Sequence, residues 1–172
     1  MSDSALTNLL GALGLGLADL LHAGVEPAAG HGGQAAAALV VIGAEPGLGL
    51  GRLADAVGLS QPGAVRLVDR LVAEGLASRE PGRDGRSVAL HLTPAGNARR
   101  TAVLAARAAA LHPLLAALSG DERRALDGIA RKLLAAMTTS ERRADALCRL
   151  CDEPVCQARG CPVDAACREL TA

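Results

Sequence analysis

Five cysteines close the chain in the stretch CRLCDEPVCQARGCPVDAAC, and none precedes them. Cys148, Cys151, Cys156, Cys161 and Cys167 are spaced C-x2-C-x4-C-x4-C-x5-C. Thiolates carried on loops this short reach one centre with little closure entropy, and thiolate sulfur is the ligand of structural zinc and of iron–sulfur clusters. Cys148-x-x-Cys151 has the spacing of a first ligand pair, and Cys161-Pro162 has the Cys-Pro step that ends some iron–sulfur motifs. No histidine lies in the stretch, so zinc would need four of the five thiolates. A second chemistry is oxidation: exposed thiols beside Arg149, Arg159 and Arg168 would be acidified and oxidise readily. The third reading is a disordered tail whose cysteines do nothing.

The other side chains offer less. His22, His31, His91 and His112 are scattered and read as surface or packing residues. No Ser/His/Asp spacing, phosphate-binding loop or HExxH is present, and GLGLG at 47–51, which follows no strand pattern, reads as a linker.

Half of the 172 residues are hydrophobic, yet Phe, Tyr and Trp are absent. The core must therefore be built from Leu, Val, Ala and Ile. The same absence removes base-stacking platforms, which speaks against a single-strand nucleic-acid binder. Net charge is zero but unevenly spread: residues 1–51 carry four acids and no base, whereas Arg52 to Arg107 holds nine Arg against five acids, a net charge of +4. A phosphate-bearing partner belongs on that middle segment. No stretch reads as a membrane span. Met1 to Leu21 is apolar and Gly-rich, but Asp3 and Asp19 and the missing basic start are wrong for a signal peptide. The expected compartment is the cytoplasm.

The elements that must hold these groups follow from periodicity. Leu6 to Leu21 forms an apolar helix, and Gly24 to Gly33, with Pro27, forms a connection. Gln34 to Gly43 is a short apolar helix broken by Glu45-Pro46-Gly47. Leu50, Leu53, Ala54 and Val57 share a helical face that Gly58 ends. Ser60 then caps a helix with Pro62 in its first turn and Val65, Val68 and Val72 as the buried stripe, flanked by Ala64 and Leu71. Strands at Leu76–Arg79 and Val88–Leu92 flank the polar loop EPGRDGRS. A helix-turn-helix followed by a basic hairpin is a winged helix. Thr93-Pro94 opens a helix running past Leu118, and Asp121 to about Met137 forms an amphipathic one through Leu126, Ile129, Leu133 and Leu134. These long helices exceed what a winged helix needs, so the economical reading pairs them with a second copy of the chain.

The run from Gly51 to Gly96 resembles the MarR family of bacterial transcription regulators. The resemblance rests on Gly58-Leu59-Ser60, Leu67-Val68-Asp69-Arg70-Leu71, Glu74-Gly75-Leu76, Asp84-x-Arg86-Ser87 and Leu92-Thr93-x-x-Gly96. It implies a mainly α fold: a winged helix-turn-helix with a small β hairpin wing and long N- and C-terminal dimerisation helices. The domains would be 1–33, an N-terminal dimerisation helix and connection; 34–96, the DNA-binding winged helix; 97–140, the C-terminal dimerisation helices; and 141–172, the Cys-rich tail. It further implies a homodimer on pseudo-palindromic double-stranded DNA, usually a repressor relieved by a small molecule or an oxidation event, and not an enzyme.

On that reading DNA is met by Ser60, Gln61, Gly63, Ala64, Arg66 and Arg70 of the recognition helix and by Arg83, Asp84, Arg86 and Ser87 of the wing. Gln61 suits adenine, Arg66 suits guanine, and Arg70 suits a phosphate. Arg83 and Arg86 suit the minor groove, with Asp84 holding an arginine in place. Gly63, unusual in a helix, and Val65, where many members carry a hydroxyl, leave the operator sequence open. Rival readings are a redox or metal-dependent enzyme centred on the tail, and a winged helix that binds protein.

Overall fold

A computed structural model of the chain describes residues 3–30, 32–82 and 87–171, with the side chain of Thr171 left aside. Helix α1 (Asp3–Ala29) is longer than its sequence pattern suggests, running through Gly24 and Pro27 where a connection was expected. Gly24 is a packing residue. A Cβ there would sit 2.9 Å from the Ala110 Cβ, so its absence lets α1 lie close against a later helix, α5 (Pro94–Ala116). The chain turns instead at Gly30, whose φ of 78° is left-handed.

Helix α2 (Gly33–Ala44) is the centre of the molecule, with Ala35 to Val40 and Ile42 buried. Its four consecutive alanines give a narrow rod that α1 and α5 approach closely, which is how a core without aromatic rings closes.

Helix α3 (Leu50–Val57) ends at Gly58, which takes the left-handed conformation at φ 70°. Helix α4 (Gln61–Ala73) begins at Ser60, whose hydroxyl accepts the Gly63 N–H. The buried face of α4 is Ala64, Leu67, Val68 and Leu71, spaced i, i+3, i+4, i+7. The expected stripe was rotated from this: Val65 and Val72 are 37% and 36% exposed, and Leu67 takes the buried position.

Strand β1 (Leu48–Gly49) was not foreseen, since GLGLG was read as a linker. Its Leu48, buried, pairs with Leu90 of β3 (Val88–Leu92), which pairs on its other edge with β2 (Ala77–Pro81). The sheet is antiparallel in the order β1-β3-β2. Two residues are too few for periodicity to show a strand.

Thr93 caps α5, which ends at Ala116, sooner than expected. Ser119 and Glu122 form a reciprocal capping box at the start of α6 (Gly120–Met137). The tail is not the unstructured extension that was one reading of it. It forms α7 (Glu141–Cys148), α8 (Glu153–Gln157) and α9 (Pro162–Thr171); α7 packs on α3, α9 packs on α6, and Leu150 joins the main core.

Two helices leave apolar residues uncovered. Leu6, Leu9, Leu10, Leu13, Leu15 and Leu20 of α1 are exposed, as are Leu126, Ile129, Leu133 and Met137 of α6. Contrary to the sequence reading, α1 is long and apolar enough to cross a membrane by length and composition alone, with a mean hydropathy of 1.4 in its most apolar window.

Candidate functional site

Helix α4 stands on the sheet and on α3, with its polar side open. Gln61, Arg66 and Arg70 are exposed on it, and among the described residues neither arginine has an ion-pair partner. Ser60 is exposed too, but its hydroxyl is committed to the cap at 3.3 Å. Gly63 is half-buried, and Ala64 is fully buried. The expectation that Ala64 meets DNA is therefore corrected: it faces the core and has no surface to offer. The i, i+4 pair Arg66 and Arg70 projects from one side of the helix.

A contact the sequence reading missed fixes this helix to the wing. Asp69 accepts an ion pair from Arg79 of β2 at 2.7 Å. Both residues were visible, one in the LVDRL run and one at the strand before the loop, but spacing does not show a pair that closes across a turn. Arg83, Asp84 and Arg86 lie outside the described residues; Ser87 is exposed just before β3. The base of the wing is held by Thr93, whose hydroxyl donates to the Gly75 carbonyl at 2.6 Å and accepts the Gly96 N–H at 3.1 Å.

A second site lies on the opposite flank of α3. All five cysteines line one cavity of about 470 Å³, walled on the far side by Val40 and Leu48 and by Arg52 of α3. They reach it from four places: the end of α7 and the turn after it (Cys148, Cys151), α8 (Cys156), the residue before α9 (Cys161) and α9 itself (Cys167). Ion pairs hold this assembly down. The Arg52 guanidinium forks onto Asp145 of α7 at 3.0 and 3.2 Å and reaches Glu45 at 2.8 Å, while Arg142 of α7 pairs with Asp55 of α3. Arg131 of α6 donates to the Gly160 carbonyl at 2.6 Å and pairs with Asp127 at 3.0 Å.

The thiols are unlike one another. Cys148 donates to Cys151, so the Cys148 thiol is pushed well up, and burial adds to this. Cys151 is pulled down to about 6 by that donated hydrogen bond, with Arg107 of α5 assisting. Burial and a hydrogen bond to Cys161 push Cys156 up to about 11. The expectation was acidification by Arg149, Arg159 and Arg168; the lowered thiol, Cys151, is acidified by Cys148 and Arg107 instead. Arg149 is spent on the Ala146 carbonyl, Arg159 lies 3.9 Å from Asp127, and Arg168 pairs with Asp164 at 3.2 Å. None of the five cysteines is in a disulfide, and all are half-buried. Among the described residues, no three His, Cys, Asp or Glu side chains converge closely enough to hold a single metal ion.

A measurable consequence concerns the metal-free protein. At pH 7 Cys151 is mostly thiolate, so iodoacetamide should label it first, with Cys148 and Cys156 slow. Labelling of Cys151 should fall as pH drops through about 6, where the thiolate takes up its proton. Peptide mass mapping after short exposure reads this directly; equal labelling of all five would contradict it.

Residues 29–87, from the last residue of α1 to the start of β3, match the model of the MarR family. Over that stretch the chain is similar to the MarR family. Solved structures agree over a wider span. A MarR-family regulator from Silicibacter pomeroyi is 28% identical, with a TM-score of 0.60 over 77% of this chain and 90% of its own. Wild-type MarR from E. coli without ligand is 25% identical, with a TM-score of 0.63 over 75% and 96%. Mycobacterium tuberculosis Rv2887, crystallised with p-aminosalicylic acid, shares the fold at 24% identity and a TM-score of 0.57 over 72% and 97%. A comparison with curated protein sequences finds no match. The MarR-type helices α3 and α4, the three-stranded sheet and the flanking α1, α5 and α6 are thus accounted for as a mainly helical winged-helix fold.

Proposed function

We propose that this MarR-type chain is a cytoplasmic, homodimeric transcriptional repressor of pseudo-palindromic double-stranded DNA. The observation that carries the reading is α4: a capped helix presenting Gln61, Arg66 and Arg70 on its open side, with neither cation spent on an ion pair among the described residues. Its N-terminal residues would approach base edges, and a bidentate Arg66–guanine or Gln61–adenine pair is worth roughly 1–3 kcal/mol of discrimination. Arg70, one turn on, would meet a phosphate. Arg83 and Arg86 of the wing would reach the neighbouring minor groove, with Asp84 holding one of them and Ser87 at its edge. Exposed leucines on α1 and apolar residues on α6 would join two chains, placing two α4 helices on successive half-sites.

Control by a small molecule belongs to the same proposal, with no ligand site assigned: Arg100 Nε, buried without a hydrogen-bond partner, lies directly against Gly43 of α2.

The test is binding to the DNA flanking the chain's own gene, titrated by fluorescence anisotropy at fixed salt. Arg66→Ala should lose about 1–3 kcal/mol on the preferred site and relax the choice at one base pair, whereas Arg70→Ala should weaken all sequences alike and lower the salt slope. If both variants bind like the parent protein, α4 is not the reading helix.

A further inference from the structure

We propose that Cys148, Cys151, Cys156 and Cys161 ligate an iron–sulfur cluster in the cavity beneath α3, and that the cluster keeps α7 docked on that helix. Four features of the cavity lead there. First, every cysteine of the chain lines this one cavity, although nothing in a Leu/Val/Ala core requires a thiol at any of these positions. Second, the four thiols form two neighbouring pairs, Cys148 with Cys151 and Cys156 with Cys161, and the pairs lie within electrostatic reach of each other.

Third, this grouping suits a cluster better than a lone ion. A zinc ion needs all its sulfurs about 2.3 Å from one point. No three ligands converge that way among the described residues, whereas a cluster offers several irons, each drawing thiolates from its own side. Fourth, Val40, Leu48 and the buried Val163 give the cavity an apolar wall, and Arg107 acts on Cys151, although Glu45, Glu141, Asp145, Glu153 and Asp164 also line it beside Arg52. Cys167, carried on α9, lines the same cavity and is the one cysteine outside the two pairs.

Assembly takes iron and sulfide from solution. Each thiol gives its proton to solvent and its sulfur lone pair to iron, and no thiol is oxidised. The coupling follows from where the ligands are fastened. Cys148 is the last residue of α7, and α7 carries Arg142 and Asp145, the two residues that bind Asp55 and Arg52 of α3. An empty cavity leaves only those ion pairs and modest packing to hold α7, so the cluster sets how firmly α3, and through it α4, is placed. This second half rests on α4 being the DNA-reading helix; the first half does not.

The experiment uses the full chain, reconstituted without oxygen from ferric iron, sulfide and a thiol reductant that supplies any ferrous iron the cluster needs. Absorbance from 300 to 600 nm and assays of iron, zinc and acid-labile sulfide follow. Iron and sulfide in matched stoichiometry with broad visible absorbance are expected, abolished in Cys148→Ser and Cys156→Ser and kept in Cys167→Ser. Far-UV circular dichroism checks that the serine variants fold, and the parent chain's iron and sulfide content decides the matter if they do not. Zinc alone or no metal overturns the cluster, and equal loss in Cys167→Ser overturns the assignment of its four ligands. On promoter DNA the loaded protein should bind about tenfold tighter than the stripped protein, within the usual range of allosteric coupling. Equal affinities overturn the coupling, and a loaded protein that binds no DNA leaves the cluster standing and removes the DNA reading instead.

Discussion

Alanine at Gly96 should destabilise the protein by about 3 kcal/mol, the upper end of what overpacking usually costs. Gly96 lies in the first turn of α5, fully enclosed, and a Cβ built on it would overlap the Leu76 carbonyl and crowd Leu92. The obstacle is backbone, which cannot rotate away as a side-chain tip can. That same carbonyl accepts the Thr93 N–H at 3.1 Å, so displacing it also disturbs the joint where β2, β3 and α5 meet. In thermal unfolding the melting temperature should drop by about 6–12 °C, using roughly 2–4 °C per kcal/mol for a chain of this size. Gly128→Ala is the control. No atom lies within 4 Å of its added methyl in the middle of α6, so it should gain about 0.5–1 kcal/mol from helix propensity. Equal melting temperatures for the two variants would show that the Leu76–Gly96 contact is looser than described.

The same residue shows what kind of information the sequence holds. Leu92-Thr93-x-x-Gly96 is legible as a pattern because its parts are local: Thr93 caps, Pro94 starts the helix, and Gly96 must be small. Ser60, Pro62 and Gly58 were legible for the same reason, each acting within four residues of itself. What periodicity mislaid was set by tertiary contacts. Gly24 reads as a breaker until α5 is seen to approach it, and Leu48 reads as linker until Leu90 pairs with it. The face of α4 was misjudged by choosing the β-branched residues as the buried stripe, whereas Leu67 fills the core and Val65 and Val72 lie at its margin. For the cysteines, spacing pointed to a shared location but not to its surroundings. Cys151 is acidified first by Cys148 and then by Arg107, more than forty residues upstream, and the clamp Arg52–Asp145 joins residues 93 apart.

Two aspartates on α1 should separate the proposed dimer and, with it, the proposed operator binding. Leu10 and Leu13 are 50% and 52% exposed, so Leu10→Asp with Leu13→Asp removes no core packing within one chain. Along α1 the exposed leucines 6, 10, 13 and 20 follow helical spacing, which makes them one stripe, and α6 adds Ile129, Leu133 and Met137 as further uncovered apolar surface. A charge placed in such a stripe costs little in water and several kcal/mol where the partner would have excluded water. Light scattering should then show a monomer with unchanged helix content by circular dichroism. Affinity for the two-half-site operator should fall by about 10²–10⁴, because a linked second winged helix binds at high effective concentration and a separate one does not. Binding to an isolated half-site should be unaffected, since α4 and the wing are untouched. A dimer that survives both aspartates would mean that α1 is covered by something other than a second copy, and its length and apolar composition would then make a membrane surface the next partner to try.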